Sequence, residues 1–229
     1  MSKKIVIVGA SRGIGEALVK RFSQLENTEV YALSRNIEKM QVAFSDLENV
    51  KCFPFDLASN VQQQATFIFN EIGAFDILIN NAGYLVNKPF PEITHEDYTL
   101  SYQINVIGVM ETVQSAIKHL NNTSSHIVNI SSMGGFQSSL KFPGLTAYST
   151  SKAALCSFTE LFSEEYKDTS IVMNCLCLGS VQTEMLEEAF PGYKAPLKPE
   201  EISEYIVVFS LSANQFMKGK IIPLSLTNP

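Results

Sequence analysis

A doubly wound α/β fold is the expectation from three features of the chain. Short apolar runs alternate with longer amphipathic stretches along all 229 residues, the arrangement that builds βαβ units around a parallel sheet. Runs such as IVIV (5–8) and ILI (77–79) are apolar without alternation, as strands covered on both faces must be. The first run ends in GASRGIGEAL (9–18), which places three glycines between a strand and a helix.

Taken in order, the strands are KKIVIVG (3–9), EVYALS (29–34), VKCFPF (50–55), FDILIN (75–80), HIVNIS (126–131), SIVMNCLCL (170–178) and KIIPLS (220–225). Helices are expected between them at 13–25, 36–47, 60–72, 95–120, 147–167 and 199–213. That order predicts seven parallel strands with helices on both faces. No repeat, charge block or change of composition marks a linker, so residues 1–229 read as one domain. Two irregular stretches, 132–147 and 183–199, follow strands at their carboxyl ends, where open α/β sheets bind ligands. The second carries three prolines that break any helix begun at Glu184, and residues 182–199 are expected to form a substrate-side loop.

Composition narrows the function classes. At 45% hydrophobic and 17% charged residues the chain is globular and builds a sizeable core. A net charge of −6, with no Lys/Arg run longer than two residues, argues against a broad nucleic-acid or anionic-membrane surface. The MSKK start passes directly into a short apolar strand without a secretion signal, and no stretch approaches the ~20 apolar residues of a membrane span. A cytoplasmic protein is expected, with the sequons at Asn121 and Asn122 incidental. Cys52, Cys156, Cys175 and Cys177 show no disulfide or zinc spacing and read as core thiols. His95, His119 and His126 are isolated and suggest neither a metal site nor a catalytic triad.

The glycine turn points to a dinucleotide. Gly9, Gly13 and Gly15 suit a tight bend, a close phosphate approach and a close helix–strand contact. The helix N-terminus beyond them offers N–H groups and a positive dipole end to a pyrophosphate. An NAD-specific site usually carries an acid at the end of the second strand. Here that point reads Ser34-Arg35, and Arg12 lies inside the turn. Two guanidiniums suit a 2′-phosphate, so NADP(H) is expected over NAD(H); solvated surface arginines are the bland alternative.

AYSTSKAAL (147–155) adds chemistry. Tyr148 and Lys152 stand four residues apart and share a helix face. An ammonium at ~4 Å and an effective dielectric of ~20 favours a phenolate by about 4 kcal/mol, lowering a tyrosine pKa by roughly three. A tyrosine so tuned is a serviceable proton donor to a carbonyl oxygen.

With Gly9–Gly15, NNAG (80–83), INVIG (104–108), IVNISS (127–132) and YSTSK (148–152) in order, the chain closely resembles the single-domain short-chain dehydrogenase/reductase family. The resemblance runs from Lys4 to about Met185. It implies a Rossmann fold and a catalytic set of Asn105, Ser132, Tyr148 and Lys152. Tyr148 is then the acid, Ser132 its partner on the carbonyl oxygen, Lys152 its tuner and ribose ligand, and Asn105 the support of a proton relay. The choice of Ser132 over Ser131 comes from the resemblance alone. Cofactor contacts are implied at Ser11, Arg12, Ile14, Ser34, Arg35, Asp56, Leu57, Asn81, Ala82, Gly83, Gly179, Val181 and Thr183, beside the three glycines, Tyr148 and Lys152. Asp56 reads equally as a helix cap, and Asn105 as a helix-interior asparagine bonded to backbone. LGSVQTEM (178–185) lacks the proline the family usually has before Gly179, and the C-terminus lacks its Asp-Gly-Gly ending.

The expected activity is reversible NADPH-dependent reduction of a ketone or aldehyde to an alcohol. A non-catalytic NADP(H) sensor or scaffold of the same fold is the alternative. A sugar-nucleotide epimerase would need a longer chain with a substrate domain. Met133, Phe136, Phe142, Leu145, Met185, Leu186 and Phe190 are expected to line an apolar substrate pocket. A homodimer through helices 95–120 and 147–167 is expected, with a tetramer also open.

Overall fold

The computed structural model describes residues 2–121 and 123–226; of the sequons, Asn122 lies outside them. Seven strands form one parallel sheet in the order β3-β2-β1-β4-β5-β6-β7. They are β1 (Lys3–Val8), β2 (Thr28–Ser34), β3 (Val50–Pro54), β4 (Ile77–Asn80), β5 (Ser125–Ser132), β6 (Ile171–Leu178) and β7 (Ile221–Leu224). After β3 the chain crosses back over β1 to lay down β4 on its other side, which creates a switch point between β1 and β4.

Alternation within the apolar strands explains the two layers. Ile5 and Ile7 of β1 enter one core while Val6 and Val8 enter the other, and Val30/Ala32 and Tyr31/Leu33 of β2 divide the same way. The first core takes Leu18 and Phe22 of α1 (Gly13–Ser23), Met40 of α2 (Ile37–Ala43) and Ile202, Ile206 and Phe209 of α8 (Pro199–Ser212). The second takes Ala65, Ile68 and Phe69 of α3 (Val61–Ile72), Val113 of α5 (Gly108–Ala116) and Phe162 of α6 (Thr146–Glu165).

One helix expectation is corrected, and the irregular stretch 183–199 proves to hold a short helix that ends ahead of its first proline. The stretch 95–120 is interrupted: α4 (His95–Tyr102) runs into one π-helical turn (Gln103–Ile107) before α5. A π turn inserts a residue into the ladder, and apolar periodicity on either side conceals it. A helix does begin at Glu184: α7 (Glu184–Ala189) is capped by Thr183 Oγ1, which accepts from Leu186 N at 3.3 Å, and stops two residues before Pro191. Asn121 is part of the scaffold, its Nδ2 donating to Asp76 Oδ1 at 2.6 Å.

Candidate active site

A cavity of about 470 Å³ opens at the carboxyl ends of β1, β4 and β5, where the switch point places it. A second hollow of about 660 Å³ lies between α1 and α8 under charged Lys20, Arg21 and Glu200, and of the predicted site residues it touches Gly13 and no catalytic side chain.

Backbone builds one end of the cavity. Gly9 has φ +87°, and a Cβ there would lie 2.6 Å from the Ala82 backbone. A Cβ on Gly15 would overlap the Gly9 carbonyl oxygen. These close approaches leave a cradle that only glycine permits. Asn81 Nδ2 donates to Gly9 O at 2.9 Å, and Ala82 N donates to Val8 O at 2.9 Å, which ties the turn to the β4 exit. Arg12 occupies the N-cap position of α1 without a side-chain cap, so its first-turn N–H groups stay open to an anion. Such a cradle fits a dinucleotide pyrophosphate. Gly13 and Ile14 line it, and Ser34 Oγ donates to Ser11 Oγ at 2.8 Å across the turn.

Arg12 and Arg35 both reach this end. Arg35 is exposed and makes no ion pair among the described residues. Arg12 is engaged by Glu188 of α7 at 2.5 Å. Asp56 and Leu57 line the same end; Asp56 Oδ1 accepts from Ala58 N at 2.9 Å. That bond closes a turn ahead of α3, so the aspartate is not a helix cap.

The other end gathers the residues predicted to be catalytic. Tyr148 and Lys152 share one face in the first turns of α6, with Lys152 Nζ 5.9 Å from the Tyr148 ring centroid. Ser131 is buried and donates from Oγ to Lys152 O at 2.9 Å, whereas half-buried Ser132 accepts from Gly134 N at 3.1 Å and hydrogen-bonds the Tyr148 phenol. Asn105 is fully buried behind the wall. Its Oδ1 accepts from Tyr84 N at 2.7 Å, and Nδ2 donates to Tyr84 O and Ser151 Oγ at 2.9 Å each. The π turn aims this side chain, which joins the β4 exit loop to α6. A Cβ on Gly83 would stand 3.5 Å from both Asn105 Oδ1 and Lys152 Nζ, so this glycine sits between the two.

The ionisation differs from the simple Tyr–Lys expectation. Burial raises the Tyr148 pKa and the bond from Ser132 opposes it. The Lys152 ammonium donates to Ile130 O at 2.8 Å and stands 5.9 Å from the Tyr148 ring centroid, farther than the direct contact expected. Burial brings Lys152 itself down to about 8, against the opposing pull of Cys175, Cys156 and Cys177.

Met133, Phe142, Leu145, Met185, Leu186 and Phe190 line the cavity as predicted, together with Gly179, Val181 and Thr183. Phe136 does not: it packs against Cys156, Cys175 and Cys177. Tyr84, Leu85, Ile104 and Tyr193 also line it and were missed. The signal for Tyr84 and Leu85 was topological, since the loop after β4 leaves at the switch point. His126 is a core residue, held between Ser210 O at 2.9 Å and Asn174 Nδ2 at 3.0 Å.

The family model for short chain dehydrogenases matches residues 3–194. The chain belongs to the short-chain dehydrogenase family. It is an oxidoreductase of that family, and its sheet is the family's Rossmann fold. An uncharacterized oxidoreductase of Staphylococcus aureus is 29% identical over 210 residues, 90% of this chain and 89% of that protein. A short-chain dehydrogenase/reductase from Serratia marcescens superposes with a TM-score of 0.85 at 26% identity, covering 97% of this chain and 96% of that one. ElxO, solved with NADP bound, does so with a TM-score of 0.85 at 25% identity and 98% coverage of both chains. Among the described residues no helix is long and apolar enough to cross a membrane.

Proposed function

We propose that this chain is an NADP(H)-dependent carbonyl reductase, reversible as an alcohol dehydrogenase. The observation that carries the reading is the shared cavity wall of Ser132, Tyr148 and Lys152, opposite a glycine turn flanked by two arginines. NADPH, when bound, supplies the hydride. Gly9, Gly13 and Gly15 would admit its pyrophosphate, and Arg12, Arg35, Ser11 and Ser34 would hold its 2′-phosphate. Asp56, Leu57, Asn81, Ala82 and Gly83 would meet the adenosine, and Gly179, Val181 and Thr183 the nicotinamide side. No carboxylate stands at the end of β2 to prefer a free 2′-hydroxyl, and the NADP in ElxO supports the same preference.

The side chains divide the proton chemistry. Gly134 N donates into Ser132 Oγ, which leaves the serine's own proton, directed at the Tyr148 phenol in this geometry, to turn to the substrate oxygen as negative charge develops there. Tyr148 gives its proton to that oxygen. Lys152, one turn away, stabilises the phenolate left behind. Asn105 keeps Tyr84 and Ser151 in place around that wall and supports the proton supply to Lys152. Residues 182–199 form the substrate side, where Met185, Leu186 and Phe190 with Met133, Phe142 and Leu145 favour an apolar ketone or aldehyde.

The test is NADPH consumption against a panel of aldehydes, ketones and diketones, with NADH beside it. Turnover is expected to favour NADPH and to fall about 10²–10⁴-fold in Tyr148→Phe. A folded protein that binds NADPH tightly and turns over no carbonyl would instead be a nucleotide sensor. A pH profile adds a second check. Below about 8 Lys152 carries its charge, so kcat/KM for reduction is expected to decline as pH rises through that value; Lys152→Ala should lack the inflection.

We further infer a cytoplasmic homodimer, open to tetramer formation, with no nucleic-acid or membrane partner. Exposed apolar side chains support it, Ile107 in the π turn ahead of α5 and Leu161 on α6, and light scattering of the purified chain measures the assembly directly.

A further inference from the structure

Cys156 of α6 meets Cys175 and Cys177 of β6 in the layer between helix and sheet. Cys156 Sγ lies 3.9 Å from Cys175 Sγ and 3.5 Å from Cys177 Sγ, and all three sulfurs fall within 4.8 Å of one another. Strand alternation turns Cys175 and Cys177 to the same face, and α6 brings the third thiol down onto them. We propose that the three thiols form a trithiolate site for one soft d10 metal ion, of the class of zinc, copper(I) and cadmium.

Geometry is the first argument. With metal–sulfur bonds of ~2.3 Å and tetrahedral angles, thiolate sulfurs stand about 3.8 Å apart. Two of the spacings, 3.5 and 3.9 Å, bracket that value and the third is within 4.8 Å, so an ion would need only a small approach of the sulfurs. A disulfide would use two of the sulfurs and leave the third idle, whereas a metal ion uses all three. Ligand chemistry is the second argument, since thiolates select soft cations over magnesium or calcium.

The surroundings suit the charge. Three thiolates around a divalent ion carry one net negative charge, and buried Lys152, one turn before Cys156 on α6, places an ammonium on the same helix to balance it. Ser131 Oγ lies 3.4 Å from Cys156 Sγ as an outer partner. Met133 packs against the cluster and also lines the cavity, which offers a way in from the cavity floor. Binding replaces one proton on each thiol by a metal–sulfur bond, with no change of oxidation state.

The test uses the reduced Cys52→Ala protein, whose only thiols are these three, titrated with cadmium chloride. Thiolate-to-cadmium absorption in the ultraviolet is expected to saturate at one ion per chain, with about three protons released per ion. Adding Cys156→Ser should weaken binding more than about 10-fold. Absence of the absorption band in Cys52→Ala protein that retains its native circular dichroism would overturn the proposal. Saturation with a single proton released would overturn it too. Neither outcome depends on how a cluster variant folds.

Discussion

The glycine turn and the segment 182–199 face each other across the mouth of the cavity, and they are held by different forces. Main-chain bonds hold the turn: Gly9 N and Ala10 N both donate to Leu33 O, at 2.8 and 3.2 Å. The segment is closed at its base by one main-chain tie, Gln182 N donating to Leu197 O at 2.8 Å, and beyond it is held mostly by side chains. Gln182 Oε1 accepts from Ala195 N at 2.8 Å, Glu187 Oε1 accepts from Gly192 N at 3.2 Å, and Glu188 pairs with Arg12 at 2.5 Å. Lys39 and Glu184 make a looser pair at 3.8 Å. Solvent weakens such exposed pairs, so the part of the segment beyond its base is expected to open more easily than the turn. The proposed cofactor end is therefore preformed, while the proposed substrate end has room to adapt.

Substitution of two glycines sharpens the contrast. Gly9→Ala combines a positive φ with a backbone overlap, and is expected to cost about 2–6 kcal/mol of stability, read by urea denaturation. NADPH binding should be lost with it. Gly192→Ala has a similar φ of +82° but nothing within 4 Å of the added methyl. It should cost about 1–2 kcal/mol and leave NADPH affinity unchanged. Equal costs at the two positions would break the comparison.

Glu188→Gln is the smallest change. Both partners of the Arg12–Glu188 pair are substantially exposed, at 42% and 63% of their side-chain surface, so global stability should shift by less than about 1 kcal/mol. The freed guanidinium is expected to tighten NADPH binding by up to about fivefold, measured by fluorescence titration at low salt. Unchanged affinity would separate Arg12 from the 2′-phosphate.

Much of the site could be read in advance because its parts are local. The three glycines, the Tyr148–Lys152 spacing and the Ser34-Arg35 pair each lie within one turn or one strand end. The misjudged features depend on contacts from elsewhere in the chain. Phe136 belongs to a pocket by its loop but packs on three thiols brought from α6 and β6. Lys152 lies one helical turn from Tyr148, yet its ammonium is taken by the carbonyl of Ile130 on β5. Tyr84 and Leu85 carry no motif and reach the cavity through strand order.

The sequence by itself determined the doubly wound architecture, since uninterrupted apolar strands between amphipathic helices must be covered on both faces. It also determined where the glycine turn falls, because only glycine tolerates that backbone and those approaches. Tertiary structure alone decided the π turn that buries Asn105 against Tyr84 and Ser151, and the meeting of Cys156 with Cys175 and Cys177. The physical reason is range. Periodicity and backbone sterics act over a few residues, whereas these contacts join positions about 20 to 50 apart that only the packed sheet brings together.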